Sequence, residues 1–277
     1  MTPATEPRVA FVGGGNMARS LIGGLVRAGA AASRIAVAEP NADLRDALAR
    51  DFGVAAYDNA ADAARDVDAV VLAVKPQVMK TVCASLSAVA KERKPLIVSI
   101  AAGIRIEQID AWLGGGFAVV RTMPNTPALI GAGASGLVAN ARVDEDKRKL
   151  AQNILAAAGL AVWIADESLM DTVTALSGSG PAYFFLLVEA LEDAAVAQGL
   201  PRDTARALAA QTCLGAGRML REDGEAPALL RQRVTSPNGT TQAAVESFEA
   251  SGLREIVTRA VHAATRRGEE LSAQLGG

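Results

Sequence analysis

A Rossmann-like, doubly wound and mostly parallel α/β domain over residues 1–165, followed by an all-helical domain over residues 166–277, is the architecture that three observations predict. Short β-branched runs alternate with Ala-rich helical stretches up to Ala165. A glycine-rich turn joins the first run to the first helical stretch. Beyond Asp166 the apolar residues keep helical spacing only.

The strands are read first. Val9–Val12, Ile35–Ala38, Ala69–Val74, Leu96–Ile100 and Ala118–Arg121 are apolar at nearly every position, as strands covered on both faces must be. Ala42–Arg50 and Val78–Ala90 between them have helical spacing. Gly114–Gly116 marks a tight turn from a helix into the next strand, and a last pair of strands, Ala134–Val138 and Ala161–Ile164, flanks a charged helix over Asp144–Ala157. Downstream, helices are predicted over Leu169–Leu176, Ala182–Ala197, Thr204–Leu220, Ala226–Val234, Gln242–Ala250 and Leu253–Leu275. That half is rich in Ala and Leu and too thin to close its own core, which favours an obligate dimer.

Composition narrows the function. Half of the residues are hydrophobic and only 4% aromatic, so the core is built from Ala, Val, Leu and Ile, and disorder is excluded as the main state. Lys plus Arg number 28 against 30 Asp plus Glu, and no basic run interleaves with aromatics, so neither a nucleic acid nor an acidic membrane is expected as partner. Cys83 and Cys213 match no metal-ligand spacing and no disulfide framework, so no metal is expected. The longest apolar stretch, Pro181 to Val188, is stopped by Glu189, short of the roughly 20 residues of a spanning helix, and the amino terminus has no apolar signal core. A cytoplasmic protein with a small-molecule partner is the expectation.

The first strand runs into Gly13-Gly14-Gly15-Asn16-Met17-Ala18, a G-x-G-x-x-A pattern between a strand and a helix. Gly13 suits the tight turn, Gly15 lets a pyrophosphate approach the backbone, Ala18 permits close helix–strand packing, and the helix terminus offers N–H groups. Glu39 ends the second strand and is followed by Pro40-Asn41, where such folds meet the adenosine ribose. An acid there favours a free 2′-hydroxyl and hence NADH, whereas Arg34 and Arg45 lie near enough in sequence to serve a 2′-phosphate, and Glu39 as a solvated loop carboxylate is the plain alternative. The choice between NADH and NADPH stays open. Ala73-Val74-Lys75-Pro76, Ser99-Ile100-Ala101 and Arg121-Thr122-Met123-Pro124-Asn125 follow other strands to the same sheet edge and converge on the nicotinamide end, Lys75 being a positioning group rather than a proton donor.

Acid–base groups are scarce. All six lysines lie at or before Lys149, the single histidine, His262, sits in the terminal helix, and the only tyrosines are Tyr57 and Tyr183. An alcohol dehydrogenase needs a positioned His, Lys or Tyr for the hydroxyl proton. The helical half offers instead two hydroxyl-rich helix starts, Ser177-Gly178-Ser179-Gly180-Pro181 and Thr235-Ser236-Pro237-Asn238-Gly239-Thr240-Thr241. Read plainly they are ordinary capped helix starts; read functionally, the second is a carboxylate cradle. A small carboxylate with a protonatable C=N bond would need only such donors, a hydroxyl at its nitrogen and a hydride at its carbon.

Taken together, GGGNMA, AVKP, RTMPNTP, SGSGPAY and VTSPNGTT, spread from residue 13 to residue 241, resemble the pyrroline-5-carboxylate reductases. The resemblance implies NAD(P)H-dependent reduction of 1-pyrroline-5-carboxylate to L-proline, the last step of proline biosynthesis, in a homodimer whose helical domains interlock and which is often assembled into a decamer. It assigns Ser236, Gly239, Thr240 and Thr241 to the substrate, with Ser236 on the carboxylate, Thr241 at the ring nitrogen, and Ser177 nearby. It assigns Gly13, Gly15, Asn16, Met17 and Ala18 to the pyrophosphate, Ala73, Lys75 and Pro76 to the nicotinamide ribose, and Ala101, Pro124 and Asn125 to the ring; Glu39, placed with Asn41 at the adenosine end by its position after the second strand, departs from members that hold a 2′-phosphate with Ser, Thr or Arg. This chain has Asn238 where the family commonly has glycine; asparagine tolerates positive φ, so the loop shape should survive. Another cyclic imine or a small keto acid is the alternative substrate. A silent dinucleotide-sensing dimer is the non-enzymatic rival, and the hydroxyl loop argues against it.

Overall fold

A computed structural model describes residues 6–275. The chain forms two compact units. One runs up to Gly178 and takes back the chain from Ala264 onward; the other spans Ser179–Ala263.

The first unit is an eight-stranded sheet: β1 (Val9–Val12), β2 (Ile35–Ala38), β3 (Ala55–Tyr57), β4 (Ala69–Leu72), β5 (Leu96–Ser99), β6 (Val119–Met123), β7 (Gly133–Ala139) and β8 (Gly159–Trp163). They lie in the order β3-β2-β1-β4-β5-β6-β7-β8, and every pair is parallel except β6 with β7. The helices are α1 (Asn16–Arg27), α2 (Ala42–Phe52), α3 (Ala60–Ala63), α4 (Pro76–Arg93), α5 (Ile106–Leu113), α6 (Glu145–Ala156) and α7 (Met170–Val173). Successive strand residues bury opposite faces: Val9 and Phe11 join the core cluster under α1 and α6, while Ala10 and Val12 join the one under α4 and α5. This double burial explains why the strands read as unbroken apolar runs. Gly24 brings α1 so close to α6 that a Cβ there would lie 2.2 Å from the Ala157 carbonyl oxygen.

The register positions the site. Val12 pairs with Ala38 on one side and with Leu72 on the other. Gly13, Glu39 and Ala73 therefore leave the sheet side by side at its carboxyl edge. Because β2 and β4 flank β1 in this order, the chain winds away from β1 in both directions and opens a crevice there.

The structure departs from the sequence reading in three places. β3 and α3 are too short to leave a readable pattern; Ala55–Tyr57 is an edge strand with two alanines, whereas α5 is the helix expected before the Gly114–Gly116 turn. The strand expected over Ala69–Val74 ends at Leu72, since Ala73 and Val74 already turn toward α4. The helix expected over Leu169–Leu176 is broken into a 3₁₀ turn, the short α7, and a π-helical turn over Thr174–Gly178 that takes in the first two residues of the first hydroxyl-rich segment.

The second unit contains α8 (Gly180–Ala197), α9 (Arg202–Glu222), α10 (Pro227–Arg233), α11 (Thr240–Ala250) and the beginning of α12 (Leu253–Leu275). Glu192 of α8 is buried against α9, where Arg206 grips both carboxylate oxygens at 3.2 and 3.1 Å and Arg202 reaches one at 3.1 Å. Those two guanidinium groups, Arg206 foremost, hold the Glu192 carboxyl below the usual carboxylate range. Among the described residues no helix is long and apolar enough to cross a membrane.

Candidate active site

A cleft of about 470 Å³ opens at the carboxyl edge of the sheet, floored by Gly13, Gly14 and Gly15 and walled by Glu39 on one side and by Ala73 and Lys75 on the other. Gly13 has φ +101°, and a Cβ on it would stand 2.5 Å from the Ala73 carbonyl oxygen, so this position admits glycine alone. A Cβ on Gly15 would meet nothing within 4 Å. The backbone is thus bare where a ligand would approach it.

The helix behind this turn has an open start. Asn41, Asn59 and Asp144 cap α2, α3 and α6 with their side chains, but no side chain caps α1. Its first-turn N–H groups, beginning at Asn16 and Met17, are donors without an intrahelical acceptor. Together with the dipole they make an anion site beneath an open glycine, and the residues fit a dinucleotide pyrophosphate. Ala18 is fully buried beneath them. A larger hollow, about 720 Å³, lies beside Pro7, Asp68 and Lys147 at the opposite sheet edge and has no such cradle.

Glu39 is no solvated loop carboxylate. Its Oε2 accepts the Gly14 N–H at 2.8 Å and its Oε1 accepts the Asn41 N–H at 2.9 Å. Gly14 is required for this: a Cβ there would fall 3.1 Å from the Glu39 Cβ and 2.6 Å from Leu48. The sequence pattern treats Gly14 as the free position of G-x-G, so its role was not legible. Asp58, which also lines the cleft, follows the unread strand β3 and was missed with it. Arg34 precedes β2 and so stands at the wrong end of that strand to reach the ribose.

Lys75 is exposed and forms the non-helical start of α4, with Pro76 in the first turn. Ala101 is buried just past β5. Pro124 and Asn125 follow β6, and both are buried. The Asn125 amide is engaged within the protein: Nδ2 donates to the Ser177 carbonyl at 2.9 Å, and Oδ1 accepts the Ala134 N–H at 2.8 Å. It staples the π-helical turn to the sheet. The Ser177 hydroxyl donates back to the Val173 carbonyl at 2.9 Å. Beneath this corner lies a charge cluster that sequence reasoning did not find, because its members are 46 and 50 residues apart: Arg121, 4% exposed, pairs with Glu167 at 3.0 Å and with Asp171 at 3.8 Å.

In the second unit, the hydroxyl loop enters α11. Asn238 has φ +58°, the left-handed conformation expected of it in place of glycine. The Gln242 side chain accepts the Asn238 N–H at 2.7 Å, and the Gly239 N–H closes a turn on the Ser236 carbonyl at 3.0 Å. Gly239 therefore shapes the loop, and the first-turn donors fall to Thr240 and Thr241. Among the described residues the hydroxyls of Ser236 and Thr241 have no hydrogen-bond partner. A helix terminus with two such hydroxyls is equipped for a small carboxylate. His262 is exposed on α12, and burial pushes the Cys83 thiol up to about 12, so neither is poised for chemistry in this structure.

A glycine cradle, an uncapped helix and an acid lining the cleft at the switch point of a doubly wound sheet define a nicotinamide-dinucleotide oxidoreductase by fold and site. Residues 8–103 match the family model described as NADP oxidoreductase, coenzyme F420-dependent, and residues 167–271 match that described as pyrroline-5-carboxylate reductase dimerisation. The pyrroline-5-carboxylate reductase of Pseudomonas aeruginosa is 52% identical over 98% of this chain and 99% of its own length, and that of Glycine max is 40% identical over 98% of each. Among solved structures, the pyrroline-5-carboxylate reductase of Coxiella burnetii superposes with TM-score 0.94 at 43% identity, covering 96% of this chain and 99% of that one. The Plasmodium falciparum pyrroline carboxylate reductase with NADP bound gives 0.81 at 28% identity, over 96% and 98%. The chain belongs to the pyrroline-5-carboxylate reductase family.

Proposed function

We propose that this protein reduces 1-pyrroline-5-carboxylate to L-proline at the expense of NAD(P)H, completing proline biosynthesis. The observation that carries the reading is the likeness to named reductases across 98% of the chain, so that cofactor cleft and hydroxyl loop are matched at once. When bound, the cofactor supplies a hydride. Everything else the reaction requires is orientation, charge stabilisation and one proton on nitrogen.

In this reading Gly13, Gly15, Asn16, Met17 and Ala18 form the pyrophosphate cradle. Glu39 and Asn41 serve the adenosine end, Ala73, Lys75 and Pro76 the nicotinamide ribose, and Ala101, Pro124 and Asn125 the ring. The loop before α11 takes the substrate: Ser236 and the N–H groups of Thr240 and Thr241 hold the carboxylate, Gly239 sets their geometry, and the Thr241 hydroxyl hydrogen-bonds the ring nitrogen. Ser177 lines the substrate end. The carbon–nitrogen double bond becomes a single bond as the carbon gains the hydride and the nitrogen its proton. The uncharged hydroxyl matches this chemistry, because an imine accepts its proton readily and needs no strong base.

Residues 1–165 then form the cofactor domain and residues 166–277 the substrate and dimerisation domain, a division supported by the family model that begins at residue 167. The dimerisation model supports an oligomer. We take the homodimer as its unit, with family resemblance as the support for a decamer, and a reducing cytoplasm as the setting that suits two free cysteines. The test follows nicotinamide absorbance with NADH and with NADPH while offering 1-pyrroline-5-carboxylate, a six-membered cyclic imine and a keto acid. Rapid oxidation confined to the pyrroline is expected. No turnover on it with either cofactor would sink the substrate assignment.

A further inference from the structure

We infer that the adenosine end of the cleft selects the dinucleotide with a free 2′-hydroxyl, so that this chain prefers NADH to NADPH, with Glu39 as the residue that decides. The inference rests on the cofactor reading above and deepens it. Its first support is the way Glu39 is held. A carboxylate offers about four acceptor positions. Two are taken by the Gly14 and Asn41 N–H groups at 2.8 and 2.9 Å, which leaves one or two for the vicinal hydroxyls of a ribose. To swing aside for a phosphate, Glu39 would have to abandon both backbone donors and leave them unpaired.

The second support is the charge around it. Asp58 lines the same cleft, so a 2′-phosphate of charge near −2 would enter between two carboxylates. Of the cations nearby, one is held on backbone carbonyls outside the cleft lining and the others are remote. Arg45 lies beside Glu39, but its Nη1 donates to the Glu39 carbonyl at 3.0 Å and to the Pro40 carbonyl at 3.3 Å, and it is not among the lining residues. Arg34 stands at the far end of β2, roughly 16 Å from Glu39 at about 3.3 Å per residue. Lys75 follows β4, two strands over from β2, on the other side of the glycine turn.

The test is equilibrium binding, read by nicotinamide fluorescence, of NADH and NADPH to the full chain and to E39Q and E39D. ADP and 2′,5′-ADP compete as probes of the adenosine end alone. The wild-type protein should bind NADH roughly tenfold or more tightly than NADPH, and ADP should compete better than 2′,5′-ADP. E39Q keeps the shape and one acceptor oxygen but removes the charge, so NADH should weaken while NADPH tightens severalfold; E39D should keep the preference. Wild-type affinity for NADPH equal to or above that for NADH overturns the proposal, whatever the variants do. Equal weakening of both dinucleotides in E39Q also overturns it, because Glu39 would then only shape the loop. If neither dinucleotide bound at all, the cofactor reading would fall and this inference with it. Failure on the pyrroline substrate would leave the binding preference standing.

Discussion

At the scale of single residues, the candidate site is built from small groups held at helix starts. Gly13 can be nothing else, because its φ of +101° and the Ala73 carbonyl 2.5 Å from any Cβ exclude a side chain twice over. Thr241 is a different case, since threonine is tolerated at many helix starts and no hydrogen bond within the described residues uses its hydroxyl. If that hydroxyl bonds the imine nitrogen as its charge develops, Thr241→Ala forfeits a charge-assisted bond of about 1.5–3 kcal/mol in the transition state. Turnover should fall about 10–100-fold, and dinucleotide affinity should be unchanged, because the cradle lies in the other unit. Steady-state rates paired with a dinucleotide titration check this. A variant that loses cofactor binding but turns over normally when saturated would remove Thr241 from its role.

Elements are held in register by charges that no sequence pattern announces. Arg121 on β6, buried to 4% exposure, meets Glu167 and Asp171, and Glu167 also accepts the first N–H of α5 at 2.9 Å. Removing the cation strands carboxylates in a protein corner, so Arg121→Ala should cost about 3 kcal/mol, the low end for a buried pair because Glu167 keeps some contact with water. Chemical denaturation against the wild type would show it as a lower midpoint, and a midpoint unchanged would mean that the cluster does no structural work. Glu192 gives a pH-dependent counterpart. Its folded-state carboxyl lies below its ordinary range because of Arg206 and then Arg202, so the stabilisation is complete above the unfolded value of about 4.3 and is lost as pH falls through the lower folded value. Wild type should melt above Glu192→Gln at pH 7, and the two curves should converge in acid, where the wild-type side chain is also neutral. These contacts mark the boundary of what the sequence makes legible. The strands β1, β2, β4, β5 and β6 and the glycine turn could be read because burial on both faces and positive φ leave local marks in residue type. Asp58, the Arg121 cluster and the Asn125 staple could not, because each depends on chain segments that only the folded sheet brings together. The π-helical turn escaped for a related reason: Thr174–Gly178 has helical spacing, and only the bond from Asn125 to the Ser177 carbonyl marks where that spacing yields.

For the whole molecule the decisive fact is how much apolar surface α8 leaves uncovered. Its middle turns read Tyr183-Phe184-Phe185-Leu186-Leu187-Val188, apolar around the full circumference, which is the composition of a helix buried on all sides. Yet Phe185 is 68% and Leu186 66% exposed, and Leu208 and Leu214 on α9 and Phe248 on α11 are exposed as well. Monomers seldom leave such contiguous surface in water, whereas a second copy of the same helices would cover it. The family model described as dimerisation spans this region. Replacing one central residue should therefore act on assembly before it acts on the sheet domain. We expect Leu186→Glu to convert the oligomer to monomer, as a lower mass in sedimentation or light scattering, because each interface would bury two like charges without partners. Dinucleotide binding should survive, since the cleft is formed wholly within the first unit. Thermal stability should become independent of protein concentration, where the wild type gains stability with concentration by mass action. An unaltered mass in Leu186→Glu, with the charge then shown to face water, would place the assembly surface elsewhere on the helical unit.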